Sequence, residues 1–167
     1  MINKINKLTE SEFTKVFANI FENASWIAEK LYQQKPFVSF EELSSKMINI
    51  FETSSKEKKL EILNSHPDLA DKTKIGLLTI DSAKEQSEAG LDECTETEFN
   101  EFNNLNSMYK KFGFPFILAV KDKKKNEILS NLKKRVVSDL ETEFKEAVNQ
   151  VKKIAIFRLE DLKNKFF

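Results

Sequence analysis

His66 is the only histidine in the chain and stands directly before Pro67. An imidazole titrates near neutral pH and suits general acid–base work. Pro67 fixes its own φ and biases His66 away from helix, so a stiff backbone sets the direction of the ring. A single histidine is nevertheless usually a surface residue or a satisfied core residue. A second residue out of place is Arg158. It falls on the apolar stripe Phe144, Ala147, Val148, Val151, Ile154, Ala155 and Leu162 of a C-terminal helix, four residues after Ile154. A core-facing guanidinium needs a partner. That partner is either a buried carboxylate, which makes Arg158 structural, or an anionic substrate gripped in a pocket. Glu85 and Gln86 form a third group. Ser82-x-x-Glu85 also reads as a capping box, in which Glu85 would only support a helix start.

Several chemistries are excluded. The lone Cys94 cannot form an internal disulfide and fits a reducing compartment. One cysteine and one histidine cannot build a Cys/His zinc site, so no metal is expected. The surrounding Leu-Asp-Glu-Cys-Thr-Glu would raise the thiol pKa and blunt a cysteine nucleophile. Lys plus Arg and Asp plus Glu both total 27, without the basic excess that nucleic-acid binding needs. The basic run from Lys121 to Lys125 reads as a solvated loop ahead of a helix. No apolar run approaches the ~20 residues that span a bilayer, and the N-terminus lacks the apolar core of a signal peptide. The C-terminus is not a peroxisomal Ser-Lys-Leu address, so a cytoplasmic location is expected by elimination.

The elements that must position these residues read as long helices, because 3 Gly and 3 Pro are too few for the turns of a sandwich or barrel. Thr9 with Glu12 opens a first helix, and Asn23 caps a second that contains Trp26, Ile27 and Leu31. Pro36 breaks the chain. Ser39 with Glu42 opens a third helix, and a fourth runs from about Ser55 to Asn64. Asp68 to Leu78 lacks helical periodicity and reads as a loop. Thr79 or Ser82 starts the next helix, which Gly90 ends. Thr95 with Glu98 opens a longer one through Phe99, Phe102, Leu105, Met108 and Tyr109, closed near Gly113. The apolar segment from Phe114 to Val120 has strand propensity, but Pro115 and the lack of a partner strand argue for a buried extended segment. Asn126 to Val137 is helical, and Ser138 with Glu141 opens a terminal helix to about Lys163. The expectation is one all-α domain over residues 1–167, a bundle of about eight helices.

In combination the motifs resemble one family. His66-Pro67-Asp68-Leu69-Ala70, Leu78-Thr79 and Ser82-x-x-Glu85-Gln86-x-x-Ala89-Gly90-Leu91-Asp92 are similar to the signature of the OHCU decarboxylases. So is Phe102-x-x-Leu105-Asn106-x-x-Tyr109-x-Lys111-Phe112-Gly113-Phe114-Pro115-Phe116-Ile117. Ile128-Leu129, Arg135 and Ile154-Ala155-x-x-Arg158-Leu159 follow in the family's order. Upstream, Ser25-Trp26-Ile27-Ala28-Glu29 and Lys35-Pro36-Phe37 resemble its N-terminal part. The likeness covers about Phe13 to Leu162.

The resemblance implies an all-α homodimer that needs no metal and no organic cofactor. The implied reaction is decarboxylation of 2-oxo-4-hydroxy-4-carboxy-5-ureidoimidazoline (OHCU) to (S)-allantoin, the last step of urate oxidation in purine catabolism. It assigns His66 as the catalytic acid–base, with Glu85 and Arg158 as further catalytic residues. It implies a substrate site lined by Pro67, by Ser82, Ala83, Lys84, Glu85 and Gln86, and by Ile117, Leu118, Ala119, Val120 and Lys121. Two positions depart from the family pattern. Asp71 stands where a Gly usually follows His-Pro-Asp-Leu-Ala, and Ser138 stands near a position that is often Asn. The alternative of another class is a non-catalytic all-helical interaction module in which His66, Glu85 and Arg158 are structural.

Overall fold

A computed structural model describes residues 2–71 and 78–166. Part of the loop expected after Asp68 therefore lies outside the described residues. Among the described residues the chain is all-α, with nine α-helices and no strand. They are α1 (Ile2–Lys7), α2 (Glu10–Phe17), α3 (Ser25–Tyr32), α4 (Phe40–Glu52) and α5 (Lys56–Ser65). After these come α6 (Ile80–Glu88), α7 (Glu96–Tyr109), α8 (Lys125–Arg135) and α9 (Leu140–Phe166), with short 3₁₀ turns at Leu91–Glu93 and Lys110–Phe112. None of these helices is long and apolar enough to cross a membrane.

Most helix starts follow the capping chemistry of the sequence. The Thr9–Glu12 and Thr95–Glu98 boxes both form, and Ser39 caps α4 through the Glu42 N–H. Three starts differ. Helix α3 begins after Ala24, whose side chain has no oxygen to cap with, while Asn23 takes a left-handed φ of 49°. Helix α9 begins after Asp139, whose carboxylate accepts from the Thr142 N–H at 2.9 Å, not from a Ser138 box. Helix α8 begins one residue before Asn126, with the Lys124 N–H donating to Glu127. Gly90 and Gly113 close α6 and the turn after α7 with φ of 75° and 82°, which a residue with a Cβ adopts only at a cost.

Two compact units are formed, Met1–Ile62 with Lys152–Phe167, and Leu63–Val151. In the first, α2 packs on α3 and α3 on α4 around an aromatic cluster. Phe13 lies 4.5 Å from Phe17 and 5.6 Å from Tyr32, ring centre to ring centre, and Phe21 lies 4.9 Å from Phe51. Its α1 was not foreseen from the sequence. That helix is tied down by Asn6, whose side chain donates to the Phe37 carbonyl and accepts from the Phe37 N–H.

In the second unit the aromatic cluster is Tyr109, Phe112, Phe114 and Phe116, with Phe144 of α9 edge-on to Phe114. Residues 116 to 120 are all buried and belong to no helix or strand, as expected for the segment near 114–120. Helix α7 turns Phe102, Asn106 and Tyr109 inward, whereas Met108 is exposed.

Candidate active site

His66 follows the last residue of α5 and donates its N–H to the Leu63 carbonyl, which completes the turn before Pro67 leaves the helix. Its half-buried side chain lines a polar cavity of about 410 Å³ with Asn64, Pro67, Asp68, Lys110, Gly113, Phe114 and Pro115. The loop that follows is held by two amides. The N–H of Ala70 donates to Gln86 Oε1 at 3.1 Å, and the carbonyl of Leu69 accepts from Asn106 Nδ2 at 3.0 Å. Ala70 adopts φ 59°, a left-handed conformation uncommon outside glycine. Such a turn persists because its neighbours over-determine it.

Helix α6 carries the second group. Its cap is Thr79, which accepts from the Ser82 N–H at 3.2 Å. Glu85 therefore sits in the second turn, too far along to serve as the capping-box acid, and is half-buried. Ser82 and Gln86 lie one turn apart and are both buried. Ala83 is half-buried, while Lys84 is exposed and pairs with Glu88 at 3.5 Å. Gln86 and Ala83 line a cavity of about 230 Å³ with Ala70, Asp71, Leu78, Ser87, Leu91 and Asp92. The Gln86 Oε1 is taken by Ala70, and its buried Nε2 meets no partner among the described residues. Asp71, one of the two departures from the family pattern, thus stands on a cavity wall.

The third group is the buried segment. The Ile117 carbonyl accepts from Arg135 Nη1 at 2.6 Å, and the Ala119 N–H donates to Gln150 Oε1 at 2.9 Å. Arg135 also donates from Nε to Glu143 at 2.9 Å and from Nη2 to the Tyr109 hydroxyl at 3.2 Å. Tyr109 in turn donates to Glu143. Burial, reinforced by that bond to Glu143, pushes the Tyr109 phenol well above its ordinary pKa against the opposing charge of Arg135. The ring stays a neutral donor at working pH. Val120 closes the segment by accepting from the Lys123 N–H, and Lys121 is half-buried.

His66, Pro67, the residues of α6 and the segment from Ile117 to Lys121 belong to the unit Leu63–Val151. Arg158 belongs to the other unit. There its Nη1 donates to Glu22 Oε2 and to the Asn19 carbonyl, each at 3.0 Å, with both charged side chains buried. The sequence did not single out Glu22, Glu143 or Gln150. The signal was present for two of them. Glu143 and Gln150 are polar residues on the same inward stripe of α9 that betrayed Arg158, four before Ala147 and four before Ile154.

The OHCU decarboxylase family model matches residues 6–160 of the chain. The chain belongs to the OHCU decarboxylase family. It is 37% identical over 161 residues to a 2-oxo-4-hydroxy-4-carboxy-5-ureidoimidazoline decarboxylase of Haloferax volcanii, covering 96% of this chain and 94% of that protein. It is 42% identical over 162 residues to a uric acid degradation bifunctional protein of Bacillus sp. (strain TB-90). That match covers 96% of this chain and 32% of the Bacillus protein, so the chain spans about a third of its length. Among solved structures, a crystal structure of (S)-allantoin synthase superposes with a TM-score of 0.77 at 31% identity, covering 97% of this chain and 54% of that one. OHCU decarboxylase family membership thus extends over both units and over all the motif blocks from Ser25 to Leu159.

Proposed function

We propose that the protein is a carboxy-lyase that converts OHCU to (S)-allantoin in urate catabolism, without a metal or an organic cofactor. What carries this reading is the lone histidine on the wall of a polar cavity, in a loop fixed by Gln86 and Asn106. Family membership over residues 6–160 supports the choice of reaction.

The chemistry suits side chains alone. When the bond to the carboxylate breaks, its electron pair delocalises into the adjacent C=N of the imidazoline ring. One proton delivered to one face then sets the handedness of the product. His66 is the acid–base group for the proton movements, on the substrate hydroxyl or on the carbanion. Gln86 keeps its oxygen on Ala70, so its Nε2 is left to donate to a ureido carbonyl. Glu85 accepts from a ureido or ring N–H. Arg158 supplies positive charge, as its place in the family motif implies.

In the segment from Ile117 to Lys121, the Ile117 carbonyl and Ala119 N–H are already taken by Arg135 and Gln150. The N–H and carbonyl of buried Leu118 meet no protein partner among the described residues and are the groups left for a ring edge.

The test uses freshly made OHCU and follows the circular dichroism of the allantoin formed. Rapid appearance of the (S) enantiomer is expected. Racemic product at the spontaneous rate would remove the activity. We read the protein as a homodimer, as the family resemblance implies, and as cytoplasmic; sedimentation equilibrium tests the dimer directly.

A further inference from the structure

We propose that Arg135 and Gln150 are positioning residues, which hold one backbone edge of the buried segment so that the opposite edge, at Leu118, meets the substrate. The inference rests on the reading of that segment as substrate-binding backbone.

Residues 116 to 120 are buried without a helix or sheet to satisfy their peptide groups. Buried backbone N–H and C=O groups must find partners. In extended chain, successive residues turn these groups to opposite edges. The Ile117 carbonyl and the Ala119 N–H are two residues apart and share one edge, where Arg135 and Gln150 take the place of a neighbouring strand. By that alternation the N–H and C=O of Leu118, between them, belong to the other edge, and neither meets a protein partner among the described residues.

Both holding residues are themselves held. The Arg135 guanidinium uses Nε on Glu143 and Nη2 on Tyr109, and lies 4.6 Å above the Phe116 ring. Gln150 Nε2 donates to Glu146 at 2.6 Å, which fixes its oxygen toward Ala119. Glu143 and Gln150 are seven residues apart on α9, two turns along one face. A buried ion pair is a weak source of stability compared with apolar packing of the same volume. A guanidinium forked between a carboxylate, a phenol and one carbonyl does fix geometry tightly. The arrangement therefore serves the placement of the segment more than the stability of the unit.

The test compares Gln150→Met, which keeps the size but removes the acceptor, with Gln150→Glu, which restores an acceptor for Ala119. Arg135→Lys and the double variant Arg135→Met/Glu143→Gln accompany them, the double so that no buried charge is stranded. Wild type and variants are measured for Tm, for kcat and KM with OHCU, and for amide hydrogen exchange of residues 116–120. The expected result for Gln150→Met is a KM raised about tenfold, the scale of one misplaced hydrogen bond, with a smaller change in kcat. Exchange in 116–120 should quicken while α9 stays protected, and Gln150→Glu should recover part of the KM. A lowered Tm with unchanged KM and unchanged local exchange would make these residues scaffold and overturn the inference, leaving the OHCU reading intact. A wild-type protein that left OHCU unconverted would overturn that reading and this inference with it.

Discussion

Gln86 and Asn106 hold opposite edges of a single peptide bond, with Gln86 accepting from the Ala70 N–H and Asn106 donating to the Leu69 carbonyl. They come from α6 and α7, and the peptide they share lies three residues beyond His66. The loop that follows His66 is thereby fixed against both helices. Asn106→Ala leaves a buried carbonyl without its donor and should cost about 1–3 kcal/mol. Urea denaturation measures that loss. A fall in kcat/KM beyond the unfolded fraction shows that the clamp also sets the catalytic geometry, and turnover that simply follows the folded fraction would refute it.

His66→Ala should leave the helical circular dichroism intact, because the side chain is half-buried on a cavity wall and not in the aromatic cluster. Turnover of OHCU should fall by about 10²–10⁴-fold, the range for loss of a general acid–base group. Near-wild-type turnover in the folded variant would take His66 out of the mechanism.

Arg158 has a carboxylate partner in Glu22, so its part in turnover must be separated from its part in the fold. Glu22→Gln removes a buried carboxylate partner from the guanidinium and should destabilise by about 3–5 kcal/mol. Arg158→Lys keeps the charge but loses the planar fork, and its kcat/KM should fall more than its Tm alone explains. Glu85→Gln offers the same comparison on α6, with a roughly 1.5–3 kcal/mol loss in kcat/KM and little change in Tm. Variants that melt lower yet turn over normally would make these residues structural.

Alkaline pH provides a test of the Tyr109 network. The folded-state pKa of this phenol lies above the ordinary value near 10. The neutral phenol therefore contributes stability that is fully present below about pH 10 and is lost as pH rises toward the folded-state pKa. Tyr109→Phe should be less stable than wild type at pH 8, with the gap narrowing above about pH 10. Denaturant midpoints at both pH values decide it. A gap independent of pH would mean that the phenol titrates normally in the folded protein.

Much of the fold was legible because its signals are local. Thr9, Ser39 and Thr95 each cap the helix that their spacing announces, and the scarcity of Gly and Pro marks an all-α chain. The apolar run from Phe114 to Val120 declared its burial, and Pro115 its lack of regular structure. Arg158 stood out because a charge on an apolar stripe breaks a period that any helix must obey. The same order of residues carried the family resemblance, from Ser25-Trp26 to Arg158-Leu159.

Other features were settled only by long-range pairing. The sequence Ile-Asn-Lys-Ile-Asn-Lys has no helix signature, and α1 is tied down by Asn6 on the backbone of Phe37, 31 residues away. A side chain in one helix chose its carbonyl or N–H in another, as Asn106 did with Leu69, Gln150 with Ala119 and Arg135 with Ile117. Nothing in local propensity specifies those choices. Whether Glu85 was the capping acid of α6 turned on which hydroxyl capped that helix, and Thr79 took that place. Sequence determined which helices form and which residues break their pattern. Tertiary structure decided what those residues meet, because a buried polar group must find its partner wherever the fold brings one.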